Sequence, residues 1–247
     1  ELNIRCKRKI LFLYKLITSF IEKKIRVLLK EIHMKFTPID RTTWERRSHY
    51  EYYTKLLKCG YSVTVSLDIT KLHRQVKEKG LRFYPVFVYC VSRQIAATKE
   101  FRMGRDKDGN PGYYDVLHPN YTIFHEDDHT FSDVWTAYTE DFSAFYKNMC
   151  SDMETYRHVK AVKAKPGQPQ NFYCISMVPW LGFTAYTESG TPMLFPIITC
   201  GKFTERDGRL TMPFCVNIAH AAADGYHTSM FINELQKQLD TITLKEL

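Results

Sequence analysis

The spacing of hydrophobic positions divides the chain into helical and extended segments. Helical spacing, or a proline suited to a first helical turn, predicts helices over residues 44–58, from Pro85 onward and over residues 141–159. Runs rich in β-branched and aromatic residues predict strands over residues 61–67, 121–125, 172–178, 194–204 and 210–219. A last helix follows, because Phe231, Leu235 and Leu239 recur every four residues. Turn signals mark a tight turn at 109–112 and a hairpin tip at 206–209. This mixture of elements favours a single α+β domain built on a mixed sheet.

Composition places the chain among ordinary globular proteins, and its charge is unevenly distributed. Of the 247 residues, 44% are hydrophobic and 25% charged, which excludes a disordered chain, a collagen-like repeat or a coiled-coil array as a description of the whole. The net charge of +8 first suggests a nucleic-acid partner. Nine of the 35 basic and three of the 27 acidic residues lie in residues 1–33, which leaves 26 and 24 in the remainder. The remainder is nearly neutral, and we therefore predict no nucleic-acid partner.

Residues 1–33 differ in character from the rest of the chain. Their apolar run ILFLYKLITSFI is interrupted by Lys15 and is shorter than the ~20 residues needed to span a bilayer. No A-x-A-like cleavage site follows it. One interpretation is a basic amphipathic helix on a membrane surface. We favour an extension outside the functional domain, because the composition changes abruptly at Met34. The predicted functional domain spans residues 34–247, and no membrane contact is expected for it.

The cysteines and histidines give no metal signature. The seven cysteines are widely spaced and form no CxxC pair, which argues against a zinc ribbon or a redox pair. Scattered thiols in apolar stretches are typical of a reduced, cytoplasmic protein. His125 and His129 are four residues apart on a predicted strand or loop, where that spacing does not bring two side chains together. We therefore predict that the protein holds no metal.

The stretch PFCVNIAHAAADG at residues 213–225 carries the candidate chemistry. An apolar strand ends at His220, and three alanines follow in a tight turn. Asp224 comes immediately before the final helix, where a carboxylate is favourably placed. Because an imidazole ordinarily titrates near neutral pH, His220 is a candidate general base.

The motif H-x-x-x-D-G resembles the signature of acyltransferases that use acyl thioesters of coenzyme A. Further stretches extend the match, namely WERRSHYEYY (44–53), RFYPV (82–86), YTIFH (121–125) and NFYCISMVPW (171–180). Their order and spacing over residues 34–240 resemble the trimeric chloramphenicol acetyltransferases. The resemblance implies a coenzyme-A-dependent acyltransferase fold, in which helices flank a mixed β-sheet in a single domain. It also implies a homotrimer whose active sites lie at subunit interfaces.

The same resemblance implies an activity and the residues that carry it. The chain is expected to transfer the acetyl group of acetyl-CoA to a hydroxyl of chloramphenicol, which inactivates the antibiotic. His220 corresponds to the general base, whose second ring nitrogen is fixed by a backbone carbonyl. Ser176, in SMVPW, corresponds to the residue that stabilises the oxyanion, and Thr199 to one that binds a water in the transition state. Asp224 is expected to pair with Arg46 and, with Gly225, to support the catalytic turn.

The resemblance also assigns residues to the two substrates. The acceptor pocket is expected to be lined by Tyr53, Tyr52, Cys59, Thr122 and Phe131, and the coenzyme tunnel by Tyr84, Lys202 and Phe203. A lysine beside an aromatic ring suits a phosphate and an adenine face. The histidine is expected to come from one subunit and most of the acceptor pocket from its neighbour.

Two departures from the family pattern keep alternatives open. Ala219 stands where the family usually has a first histidine, and alternation along a strand predicts that it faces away from the side His220 serves. The segment FTAYTESGTPML at 183–194 is about three residues shorter than its family counterpart and carries Glu188. The acceptor could therefore be a different small hydroxylated compound.

Other classes of protein share this fold and motif. The acyltransferase core of a 2-oxo acid dehydrogenase complex is one alternative, which we disfavour because no lipoyl or peripheral-subunit domain is found ahead of residue 34. A trimeric binding protein that has lost catalysis is another. The joint presence of His220, Ser176, Asp224 and Arg46 argues against it.

Overall fold

The computed structural model describes residues 35–244. Its helices are α1 (Arg47–Glu51), continued by a π-helical turn (Tyr52–Leu56), α2 (Thr70–Glu78), α3 (Phe83–Ala97), α4 (Phe142–Tyr156) and α5 (Gly225–Thr241), with a 3₁₀ turn at Lys99–Arg102. Its strands are β1 (Phe36–Pro38), β2 (Gly60–Asp68), β3 (Met103–Arg105), β4 (Pro111–Tyr114), β5 (His118–His125), β6 (Thr130–Trp135), β7 (Phe172–Met177), β8 (Ile197–Cys200), β9 (Thr204–Arg206) and β10 (Arg209–Ala219). The interpretation of residues 1–33 lies outside the described part, and the domain boundary at residue 34 stays a prediction.

A large mixed sheet organises the chain. Strands β2, β10, β8, β7, β5 and β6 are neighbours in that order, and β9 pairs with β10. β10 is antiparallel to β2 and β8, and β6 is antiparallel to β5, whereas β7 is parallel to both β5 and β8. Strands β1, β4 and β3 form a separate small sheet. The predicted α+β fold, with helices flanking a mixed sheet, is confirmed.

Helices α3 and α5 supply most of the helical part of the core. Nine of the 15 residues of α3 are buried, as expected for a helix that is apolar on most sides. Pro85 lies in its first turn, where a missing N–H breaks no helical hydrogen bond. The predicted C-terminal helix is confirmed, and its Phe231 stacks on Phe101 with 4.3 Å between ring centroids. Neither α3 nor any other helix within residues 35–244 has both the length and the hydrophobicity needed to cross a membrane.

The predicted hairpin tip between β9 and β10 is confirmed in its detail. Asp207 and Gly208 connect the two strands with φ angles of 51° and 74°. Positive φ at both central positions is typical of a two-residue type I′ hairpin turn, which Asp-Gly tolerates well. The tip therefore fixes the register with which β10, the strand that leads to His220, enters the sheet.

The local pattern misjudged several elements. The single helix predicted over 44–58 is a short α-helix followed by a π-helical turn. The strand predicted over 194–204 is two strands, β8 and β9, interrupted where Gly201 packs tightly: a Cβ there would lie 2.8 Å from the Phe183 ring. Helix α2 and the strands of the small sheet were not predicted, because strands of three or four residues are too short to show alternation and α2 buries only Leu72 and Val76.

Candidate active site

His220 follows directly on the end of β10, the longest strand of the sheet. Its backbone N–H donates to the carbonyl of Cys59 at 3.1 Å, which ties the turn to the start of β2. Its ring stacks on that of Tyr53, with 3.9 Å between centroids and 5° between planes, and lies 5.2 Å from the Tyr61 ring. Nδ1 of His220 is buried and has no hydrogen-bond partner within residues 35–244, so the expected carbonyl contact is not formed there. Stacking and the backbone orient the imidazole.

Asp224 connects the turn after His220 to the rest of the fold. It is the N-cap of α5, and its Oδ1 accepts from the backbone N–H of Tyr226 at 3.1 Å. Its Oδ2 accepts from Nη1 of Arg46 at 2.5 Å. Burial by itself raises the pKa of Asp224, but the Arg46 hydrogen bond and the charge of His227 outweigh it and hold this pKa at about 2. Asp224 is therefore a permanently charged anchor near neutral pH.

Arg46 joins two parts of the site that are distant in sequence. It directly precedes α1, and the π-helical turn that continues α1 carries Tyr53. The Arg46 side chain is 16% exposed, and its Nε and Nη2 have no hydrogen-bond partner among the described residues. Asp224 is thus the partner on which this guanidinium depends. Gly225 has a φ outside the left-handed region, and a Cβ added there would meet no atom of the described chain within 4 Å. Neither backbone strain nor a close contact therefore requires glycine at this position.

Ser176 and Thr122 form a second group on the neighbouring parallel strands β7 and β5. Their hydroxyl oxygens lie 3.2 Å apart. Thr199 of β8 is the register partner of Ser176 and is 3% exposed. The three hydroxyl residues line a cavity of about 420 Å³ whose wall includes Phe131 and Glu188. The structure therefore gathers Ser176, Thr199, Thr122 and Phe131 in one place.

His220 lies far from this second group in the same chain. Register places Cys215 of β10 opposite Thr199, and Thr199 opposite Ser176. His220 is five residues beyond Cys215, which is about 17 Å along the strand direction, and β7 is two strands away, about 10 Å across. The two groups are thus about 20 Å apart. A single chain does not bring the predicted base and the predicted oxyanion donor together.

The residues predicted to contact the acceptor are divided between the two groups. Tyr53 and Cys59 lie beside His220, and Tyr52, 46% exposed, meets the Tyr53 ring edge-on at 5.1 Å. Thr122 and Phe131 lie with Ser176. A different cavity, of about 470 Å³, lies next to the His220 backbone; Tyr53, Cys59 and Ala219 are among the residues that line it. The cavities share no lining residue.

The residues predicted to contact the coenzyme lie on α3 and on the loop between β8 and β9. The Tyr84 hydroxyl donates to the carbonyl of Ile175, next to Ser176, at 3.1 Å, and burial raises its pKa. Phe203 meets the Phe83 ring edge-on at 4.8 Å. Lys202 is exposed, and its backbone N–H donates to Leu181 at 2.9 Å.

Two residues beside the turn at 220–224 were not among the candidates that the sequence indicated. His227 lies with Nδ1 2.8 Å from Oδ1 of Asp224, at the third position of α5. Its place three residues after an N-cap aspartate is the spacing of a capping box, a signal that could have identified it. Tyr61 contacts Thr228 through their hydroxyls at 2.6 Å, which brings β2 to α5. No local pattern indicates that contact.

Within residues 35–244, no cluster of three or more His, Cys, Asp or Glu is arranged to hold a metal ion. His125 and His129 have separate partners. Nε2 of His125 lies 2.8 Å from the Ser132 hydroxyl, whereas the His129 ring stacks on Phe124.

The chain is similar to known proteins in both sequence and structure. The family model for chloramphenicol acetyltransferase matches residues 34–236. The chain is similar to a chloramphenicol acetyltransferase of Clostridium perfringens, 40% identical over 207 residues that cover 83% of this chain and 94% of the relative. It is also similar to one of Bacillus pumilus, 38% identical over 204 residues, with 81% and 92% covered.

Solved structures agree with that similarity. A chloramphenicol acetyltransferase structure superposes with a TM-score of 0.73 at 25% identity, covering 83% of this chain and all of the other. The dihydrolipoamide acetyltransferase of Azotobacter vinelandii superposes with a TM-score of 0.58 at 17% identity, over 74% and 82% of the two chains. The second similarity shows a shared fold alone.

Proposed function

Because the chain belongs to the chloramphenicol acetyltransferase family and is an acyltransferase, we propose that it transfers the acetyl group of acetyl-CoA to a hydroxyl of chloramphenicol. The family resemblance inferred from the sequence is confirmed. The observation that carries the proposal is the 40% identity to a relative of that name over 207 residues, which cover 94% of the relative. The family model spans residues 34–236, which include both groups of site residues. The fold shared with dihydrolipoamide acetyltransferase gives no comparable support for that substrate.

His220 acts as the general base in this proposal. Its imidazole takes the proton of the acceptor hydroxyl as that oxygen attacks the thioester carbonyl. The tetrahedral intermediate then collapses, the acetyl ester forms, and the coenzyme leaves as its thiol after taking the proton back from the imidazolium. No covalent acyl-enzyme is needed. The parallel stacking on Tyr53 supports this role because it holds the ring in one plane.

Ser176 stabilises the oxyanion, and its neighbours complete that side of the site. A hydroxyl aimed at the charge that develops in the transition state lowers the barrier by roughly 3 kcal/mol. Thr199, opposite Ser176 in the sheet, holds a water in the same place. Asp224 and Arg46 act as positioning residues for the turn. Tyr53, Tyr52, Cys59, Thr122 and Phe131 contact the acceptor, and Tyr84, Lys202 and Phe203 contact the coenzyme.

The working enzyme is a homotrimer with its sites between subunits. The separation of about 20 Å between His220 and Ser176 supports this, since one acetyl group cannot contact both within a chain. His220 of one copy therefore serves the Ser176 cavity of the next copy. The trimer works in the cytoplasm, and the reduced thiols among the described residues suit that compartment.

The test of the reaction is thiol release from acetyl-CoA with chloramphenicol present. Wild type and His49→Ala, a change at an exposed histidine of α1, are expected to turn over equally. His220→Ala is expected to lose about 10²- to 10⁴-fold in kcat while keeping its fold. No turnover by the folded wild-type trimer contradicts the assignment of chloramphenicol. Full activity of His220→Ala contradicts the assignment of the base.

Mixed trimers test the shared site. His220→Ala and Ser176→Ala chains, each inactive alone, are unfolded, mixed in equal amounts and refolded together. If each site takes its histidine and serine from different chains, each mixed trimer contains one intact site, and about one quarter of wild-type activity returns. If both residues served the site from one chain, no activity would return.

A further inference from the structure

Glu188 lines the same cavity as Ser176, Thr122 and Thr199. It belongs to the segment 183–194, which runs as an irregular loop over the sheet before β8. Tyr186 of this loop hydrogen-bonds to β2 and β10: its N–H donates to the Thr64 hydroxyl at 3.3 Å, and its carbonyl accepts from the Cys215 thiol at 3.2 Å. The loop that carries Glu188 is thus attached to the sheet beside the cavity.

Together with burial, the negative charge of Glu188 raises the pKa of two groups around this cavity. Burial raises the pKa of Tyr186, and the charge of Glu188 raises it further. Burial, again the largest cause, raises the pKa of Cys174 to about 11, and Glu188 is among the charges that add to it. Tyr186 and Cys174 line the cavity, and Glu188, which is exposed within the described chain, lines it with them.

No cation within the described chain neutralises this carboxylate. Asp133, the other acid of the lining, is paired with Lys163 at 2.8 Å, whereas Glu188 forms no salt bridge with residues 35–244. No Lys or Arg lines the cavity in that part of the chain. His129 does line it, and its ring stacks on that of Phe124. The remaining wall is largely aromatic and apolar, with Phe131 and Trp180 exposed by 55% and 58%.

A carboxylate set among aromatic rings is a favourable environment for an organic cation. Because Glu188 is exposed within the described chain, a neutral acceptor seated beside it displaces only part of the water around the carboxylate, at a modest cost. An acceptor with an ammonium group near its hydroxyl pairs with the carboxylate instead. The cavity, about 420 Å³, is within the size range of small-molecule sites.

We propose that Glu188 is a specificity-determining residue that selects acceptors carrying a cationic group beside the hydroxyl to be acetylated. This inference rests on the proposed function, because it takes the Ser176 cavity as the acceptor site. It extends the substrates from chloramphenicol to positively charged aromatic amino alcohols. Glu188 binds the cation and takes no part in the transfer of the proton or the acetyl group.

The test compares two acceptors of similar shape that differ in charge. One is chloramphenicol; the other is its amino diol analogue, in which a dimethylammonium group replaces the neutral acylamino group. The tertiary amine cannot form a stable amide, so thiol release reports ester formation only. The ratio of kcat/KM for the cation to kcat/KM for chloramphenicol is measured for wild type, Glu188→Gln and Glu188→Leu. Glu205→Gln, on exposed β9, is the matched control.

Glu188→Gln is expected to lower this ratio about tenfold or more, and Glu188→Leu to lower it further, while Glu205→Gln leaves it unchanged. The dissociation constants of both acceptors, measured by calorimetry with His220→Ala trimers that carry the same changes, should follow the same order. Ratios that are equal in wild type and Glu188→Gln overturn the inference. If the wild type acetylates neither acceptor, the proposed function fails, and the dissociation constants alone then decide whether Glu188 recognises the cation.

Discussion

Asp224→Asn separates the charge of the catalytic turn from its helix cap. The carboxylate caps α5 through Oδ1 and pairs with Arg46 through Oδ2. Asparagine keeps a side-chain oxygen and is as good an N-cap residue as aspartate. The substitution therefore removes the ion pair and leaves the cap in place. Asp224→Ala removes both, and the difference between the two variants measures the cap, about 1 kcal/mol.

The structure sets how much free energy of unfolding Asp224→Asn is expected to lose. The pKa of Asp224 is held at about 2 against an ordinary value of 3.8, which corresponds to about 2.5 kcal/mol of stabilisation of the folded state at neutral pH. Because the Asp224 side chain is 31% exposed, solvent screening reduces this to about 1–2 kcal/mol. Arg46, 16% exposed, then lacks its partner, which adds to the cost. We expect a total loss of about 2–3 kcal/mol in the free energy of unfolding.

The stability difference between wild type and Asp224→Asn should depend on pH in one direction. A carboxyl group whose pKa is lowered by folding stabilises the protein fully above its unfolded pKa and loses that contribution as the pH falls through its folded pKa. The difference between wild type and Asp224→Asn should therefore be constant above about pH 4 and shrink towards pH 2. The assay is urea unfolding at a fixed protein concentration over this range.

Asp207→Asn is the control, because Asp207 lies on the hairpin tip with its side chain 88% exposed. It should change the free energy of unfolding little at any pH. A loss below about 0.5 kcal/mol for Asp224→Asn at pH 7, or a loss that persists unchanged to pH 2, would refute the reasoning. The accompanying kcat should fall, since the pair holds the turn that carries His220.

Three further predictions concern other parts of the structure. Ser176→Ala should lower kcat about 10²- to 10³-fold with little change in KM, and an unchanged kcat in steady-state assays removes it from oxyanion stabilisation. Burial, partly offset by Asp115, lowers the pKa of His118 to about 4. The free energy of unfolding should therefore fall as the pH drops from about 6.5 to about 4, and this slope should be shallower in His118→Gln; parallel urea-unfolding curves contradict it. Cys90 is fully buried, and burial raises its pKa to about 12, so peptide mapping should find it unlabelled by a thiol reagent at pH 8 until the protein unfolds. Labelling of the native protein contradicts its burial.

The sequence by itself determined the elements with a strong local period. Strand β10, the Asp-Gly tip before it and helix α5 after it were all predicted, because alternation, turn chemistry and a four-residue apolar stripe are encoded by adjacent residues. Pro85 likewise indicated the start of α3. The placement of His220 at a strand end followed from these signals. The family, and with it the pairing of Arg46 with Asp224, came from the resemblance of whole motifs rather than from any local pattern.

Only the tertiary structure decided which chemical groups meet. The stacking of Tyr53 on His220, the contact of Ser176 with Thr122 and the approach of Glu188 to the same cavity each join residues that are distant in sequence. Strand order and register produce these contacts, and they depend on packing across the sheet that no local period encodes. The same register separates His220 from Ser176 by about 20 Å. Sequence indicated the candidate reacting groups, but the sheet determined that one chain alone does not bring them together.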